Sequence, residues 1–118
     1  MDYGKIAEIR DKLGEEELLI QLAEEAAELA QAALKLRRAI SGKNPTPKGV
    51  GECRKALSEE LTDVHLCALI AQADPSLQVM NEKVERWYKR LNGTENVVLT
   101  RGMEKINEKS KAENCAGI

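Results

Sequence analysis

Two short acidic runs hold the residues of this sequence with the clearest chemical potential. The first is EEAAE, Glu24 to Glu28, and the second is EELTD, Glu59 to Asp63. Both read E-E-x-x-[E/D]. On a helix, residues three apart lie about 60° round from one another and one turn along. Glu25 with Glu28, and Glu60 with Asp63, can therefore each present two carboxylates in one direction. A single run of this kind is ordinarily a solvated helix face. Here, however, both runs interrupt an apolar seam. Leu18, Leu22, Leu29, Ala32 and Leu36 recur in steps of four and three, and the seam position between Leu22 and Leu29 is Glu25. Leu57, Glu60, Val64, Cys67 and Ala71 repeat the pattern with Glu60 as the acid.

If the two helices are antiparallel neighbours, four carboxylates converge at mid-helix. Unpaired and half-buried, they repel one another strongly even at an effective dielectric of about 20. Oxygen-only ligands suit Mg²⁺ or Mn²⁺, and Mg²⁺ typically keeps waters and engages substrate phosphates. A carboxylate-bridged di-iron bundle is the other chemistry such acids could serve, but it uses Glu-x-x-His. His65, the only histidine, has Thr62 three residues before it, so that spacing fails.

The elements that must position these acids are helices. Phe is absent and aromatics make up 3% of the chain, so Leu, Ala, Val and Ile must fill the core. The Ala-, Leu-, Glu- and Lys-rich composition favours helix, and the one short strand-like run is NVVLT, Asn96 to Thr100. A first helix is predicted over Tyr3–Leu13, broken at Gly14, and a long second one over Glu15–Ile40. SGKNPTPKG, Ser41 to Gly49, is a loop, because Gly42 and two prolines stop helix. A third helix follows over Glu52–Ala73. Asp74 or Ser76 then caps a fourth, with Pro75 at or near its first turn, and this helix runs to about Leu91 and stops at Asn92-Gly93. The expectation is an all-α antiparallel bundle of about four main helices over residues 1–93. A polar tail over 94–118 forms a short helix, a docking arm or a disordered end.

The 118 residues suffice for one domain with a modest core, so self-association is physically reasonable. Net charge is −2, which argues against general binding of nucleic-acid polymers. No apolar stretch reaches membrane-spanning length, and MDYGKIAEIRD lacks the apolar core of a signal peptide. Cys53, Cys67 and Cys115 form no CxxC pair, which disfavours a disulfide framework or a zinc site. A cytoplasmic protein with reduced thiols is expected.

Charge is unevenly spread. Between Gly14 and Leu34 the only charged residues are the acids Glu15, Glu16, Glu17, Glu24, Glu25 and Glu28. Lys83, Arg86, Lys89 and Arg90 make the fourth helix basic. Lys83, Arg86 and Arg90 share one face at i, i+3, i+7. They either offset phosphate charge or form a solvated face with Glu82 and Glu85. Trp87 and Tyr88 are candidates for stacking on a base, against the commoner role of Trp as a core or interface anchor. Gln21, one turn before Glu25, is placed to orient a ligand or a base.

These residues resemble the all-α nucleoside triphosphate pyrophosphatases, the MazG-like superfamily. Its signature, E-E-x-x-E followed by E-E-x-x-D on the next long helix, is matched by EEAAELAQAALK and SEELTDVHLCA. KVERWYKRL, Lys83 to Leu91, looks like the family's basic segment. The resemblance covers Glu15 to Leu91 and departs from the family in the long gap between motifs, which the 41–49 loop fills. It implies Mg²⁺-dependent hydrolysis of a nucleoside triphosphate, NTP or dNTP, to monophosphate and pyrophosphate, in nucleotide-pool housekeeping. It also implies a homodimer or homotetramer with the nucleotide near the subunit interface. Carried over by position, the metal ligands are Glu25, Glu28, Glu60 and Asp63. Glu24 and Glu59 flank them, and any of the six acids is a candidate proton acceptor. Phosphoribosyl-ATP hydrolysis, within the same superfamily, and a non-catalytic nucleotide-sensing or interaction module are the alternative readings.

Overall fold

The computed structural model describes residues 1–93, so NVVLT and the 94–118 tail lie outside the described residues. Three helices are present, with no strand among the described residues: α1 over Tyr3–Ser41, α2 over Val50–Ile70 and α3 over Leu77–Asn92. Met1–Asp74 form one compact unit, and α3 belongs to a second that begins at Pro75.

α1 starts where Asp2 accepts a hydrogen bond from the Lys5 N–H at 3.1 Å. Its Leu-, Ala-, Glu- and Gln-rich sequence propagates readily. It ends at Gly42, whose left-handed backbone (φ 69°) lets its N–H reach the Arg38 carbonyl at 2.9 Å. The predicted break at Gly14 is there, as a kink inside one long helix, with φ 81° and ψ 166°. A side chain at Gly14 would meet no atom within 4 Å, so it is the backbone conformation that calls for glycine.

That kink shapes the core. Ile6, Leu18 and Ile70 form one buried cluster, with Ala71 packed against it. In a straight helix Ile6 and Leu18 would stand about 18 Å apart along the axis, too far to share one partner. Turning at Gly14 brings both onto the end of α2. The Arg10 Nε donates to the Ile70 carbonyl at 2.7 Å and ties the same end.

α2 begins two residues earlier than the sequence suggests, because Glu52 reaches back to accept the Gly49 N–H at 3.4 Å and so sits in the first turn. It also stops earlier, at Ile70. Gln72 turns left-handed (φ 59°), and the Ala73 N–H closes onto the Ala68 carbonyl at 2.9 Å. With Pro75 disfavouring helix at Asp74, the chain has no route to continue. Of the two candidate caps for α3, Ser76 takes the role, accepting from the Val79 N–H at 3.2 Å, while Pro75 precedes the cap.

The α1 and α2 helices are antiparallel. Arg10 meets Ile70 near one end, and Ala32 and Cys53 line the same cavity near the other. Both predicted seams face inward. Leu18, Ala32 and Leu36 are buried, and Leu22, Glu25 and Leu29 are half-buried between exposed neighbours. Leu57, Glu60, Val64, Cys67 and Ala71 are all half-buried. Burying each large aliphatic side chain stabilises by about 1.5–3 kcal/mol, and the acids occupy two places where that gain is forgone.

Candidate metal centre

The register set by the Gly14 kink and the Arg10 tie puts the middle of α1 against the middle of α2. Glu25 from α1 and Glu60 and Asp63 from α2 each place one carboxylate oxygen within 4.8 Å of the other two. Glu25 and Glu60 are half-buried and Asp63 is exposed. The Gln21 side-chain amide donates to the Glu25 Oε2 at 2.8 Å from one turn earlier, and this fixes the direction of that carboxylate.

Glu60 is the centre of the arrangement. Its Oε1 is buried with no hydrogen-bond partner among the described residues. Burial holds its carboxyl above the usual value of 4.5, and the negative charges of Glu28 and Asp63 push it further. A side-chain hydrogen bond with Glu28 and the charge of Glu25 act in the same direction. Glu28 thus stands beside Glu60, although its own oxygens fall outside the set of three. One turn beyond Asp63, burial and the charges of Glu25 and Asp63 raise the Cys67 thiol above 9.0. Cys67 lies outside the group of three, so the centre has oxygen donors only.

The structure brings Gln21, Glu25, Glu28, Glu60 and Asp63 together. Glu24 and Glu59 are exposed and stand outside the three-carboxylate group, as does exposed His65. Lys83, Arg86, Trp87 and Arg90 stand on α3, in the second unit. Trp87 is 51% exposed on that helix.

One feature was not read from the sequence. At the loop end of the hairpin a cavity of about 540 Å³ is lined by Glu28 and Glu60 together with Lys35, Arg38 and Lys48. The signal was present: Lys35 lies two turns after Glu28 on the same helix face. Lys48, by contrast, reaches the cavity through the fold of the 42–49 loop, which helical spacing does not describe. The chain matches no protein-family profile, no curated protein and no solved structure. Among the described residues no helix is long and apolar enough to cross a membrane.

Proposed function

We propose that this protein is a divalent-cation-dependent nucleoside triphosphate pyrophosphohydrolase of the MazG-like kind, releasing nucleoside monophosphate and pyrophosphate. The observation that carries the reading is the meeting of Glu25, Glu60 and Asp63 within 4.8 Å, with Glu25 and Glu60 in seams that could have been wholly apolar. The donor set fits a hard cation. It is all carboxylate oxygen, and Glu60 carries a buried oxygen with no hydrogen-bond partner among the described residues. Like charges at this spacing oppose one another, and a cation removes the opposition.

In this reading Glu25, Glu60 and Asp63 hold the ion and Gln21 keeps Glu25 turned towards it. Mg²⁺ or Mn²⁺, when bound, supplies neutralisation of the phosphates and polarisation of the α-phosphorus. Attack by water forms the new P–O bond as the bond from the α-phosphorus to the bridging oxygen breaks, and pyrophosphate leaves. Glu28, beside Glu60 but outside the three-oxygen set, accepts the proton from that water. The protein contributes positioning and fixed charge, with no covalent step.

Self-association accompanies this reading. Leu19, Ile20, Leu34, Leu61 and Leu66 are exposed on the α1–α2 hairpin, and α3 carries an exposed stripe of Leu77, Met80, Val84 and Leu91. Faces this apolar suit a homodimer or homotetramer, which sedimentation equilibrium measures directly.

The deciding experiment is a panel of NTPs and dNTPs, normal and damaged, assayed for pyrophosphate with Mg²⁺. At least one is cleaved by the wild type. Glu60→Gln abolishes cleavage while far-ultraviolet circular dichroism stays unchanged. A helical scaffold without a metal site behaves differently: Mg²⁺ leaves its melting temperature where it was, and Glu60→Leu stabilises it.

A further inference from the structure

The geometry points to the cavity at the loop end of the α1–α2 hairpin as the seat of the departing pyrophosphate, with Lys35, Arg38 and Lys48 as its anion-binding side chains. This deepens the proposed hydrolysis and rests on it for the identity of the ligand. At about 540 Å³ the cavity is of the size that small ligands occupy. Its charges are segregated. Glu28 and Glu60 form the end nearest the candidate metal centre, while Lys35, Arg38 and Lys48 stand towards the loop. Along α1, Glu28 to Lys35 is a rise of about 10 Å and Glu28 to Arg38 about 15 Å.

None of the three cations forms an ion pair among the described residues, where Lys5–Asp2 and Lys12–Glu8 are the pairs present. Opposite charges that line one cavity without pairing suit a ligand that lies between them. It must be anionic where the lysines and the arginine are, and able to share a cation with the acids at the other end. A phosphate chain has that form, and Arg38 can fork two of its oxygens.

The rest of the lining favours phosphate over a base. Ala32, Ala56 and Cys53 are small, and among the described residues no aromatic ring lines the cavity. With no aromatic ring to stack on a base, the cavity suits the phosphate end of a nucleotide better than its base. The long connection between the acidic runs also acquires a role, since the 42–49 loop contributes Thr46, Pro47 and Lys48 to the wall.

The test is calorimetric titration of the full chain with pyrophosphate at constant Mg²⁺. The wild type binds pyrophosphate. Lys35→Gln, Arg38→Gln and Lys48→Gln each weaken it at least fivefold, and Arg38→Lys recovers part of the loss. The Mg²⁺-induced rise in melting temperature is unchanged in the three variants. Lys35 and Lys48 are exposed, so their replacement leaves packing intact. The inference is overturned if the wild type does not bind pyrophosphate, or if all three variants bind it as the wild type does. Either result alongside normal triphosphate cleavage leaves the hydrolase reading standing. Conversely, pyrophosphate binding that depends on these cations, without cleavage of any triphosphate, sinks the hydrolase reading and keeps the anion site.

Discussion

Replacing glycine by alanine at two positions of the same hairpin should change stability in opposite directions. At Gly51, in the first turn of α2, the backbone is helical and a Cβ meets nothing within 4 Å. Alanine there restricts the unfolded chain and raises stability by about 0.4–1 kcal/mol. At Gly14 the space is equally open, but φ is 81° and ψ is 166°, a region that side-chain-bearing residues occupy at a cost of about 1–3 kcal/mol. Helix propensity alone predicts the reverse, a gain of about 1 kcal/mol for Gly14→Ala in a continuous helix. The sign therefore tests the kink. Urea unfolding followed at 222 nm reads both variants, and for a chain of this size each kcal/mol moves the melting temperature by about 4–8 °C. If Gly14→Ala proves more stable than wild type, α1 runs straight through residue 14. Ile6 and Leu18 then cannot share Ile70, and the account of how the helices are registered fails.

Four further outcomes are expected. Glu60 is held above 4.5 in the folded protein, so between 4.5 and its raised value the folded state binds more protons than the unfolded state. Stability then falls as pH rises through that window: without metal the wild type, compared with Glu60→Gln, gains melting temperature on going from pH 7 to pH 5, and saturating Mg²⁺ cancels the gain. Removing the Gln21 amide from Glu25 by Gln21→Ala weakens Mg²⁺ binding by about tenfold in a thermal-shift titration, with little change in metal-free stability. A cation beside Glu25 and Asp63 offsets the negative charges that raise Cys67, so Mg²⁺ accelerates alkylation of Cys67, mapped by peptide mass spectrometry at pH 8. Arg10→Gln loses the charged hydrogen bond to the Ile70 carbonyl and costs about 1–2 kcal/mol in urea unfolding without changing pyrophosphate binding.

The helices and their inward faces were legible because helical structure is local. A 3.6-residue period, a cap at Asp74 or Ser76, a break at Gly14 and a proline-bearing loop all act over a few residues, and the seams with their two acids follow from the same period. The ends of α2 were misjudged by two or three residues. There the outcome turned on single contacts, the Glu52 carboxylate reaching Gly49 and the left-handed turn at Gln72. Tertiary structure alone decided which carboxylates meet. Glu28 and Asp63 occupy equivalent places in their motifs, yet Asp63 joins Glu25 and Glu60 while Glu28 stands beside them and faces the cavity. Spacing fixes the angle of a side chain about its own helix. The distance to a neighbouring helix depends on register, which the Ile6–Leu18–Ile70 cluster sets at the far end of the hairpin. For the same reason the cations that share the acids' cavity are Lys35, Arg38 and Lys48: a loop and two helix faces become one wall only when the chain closes on itself.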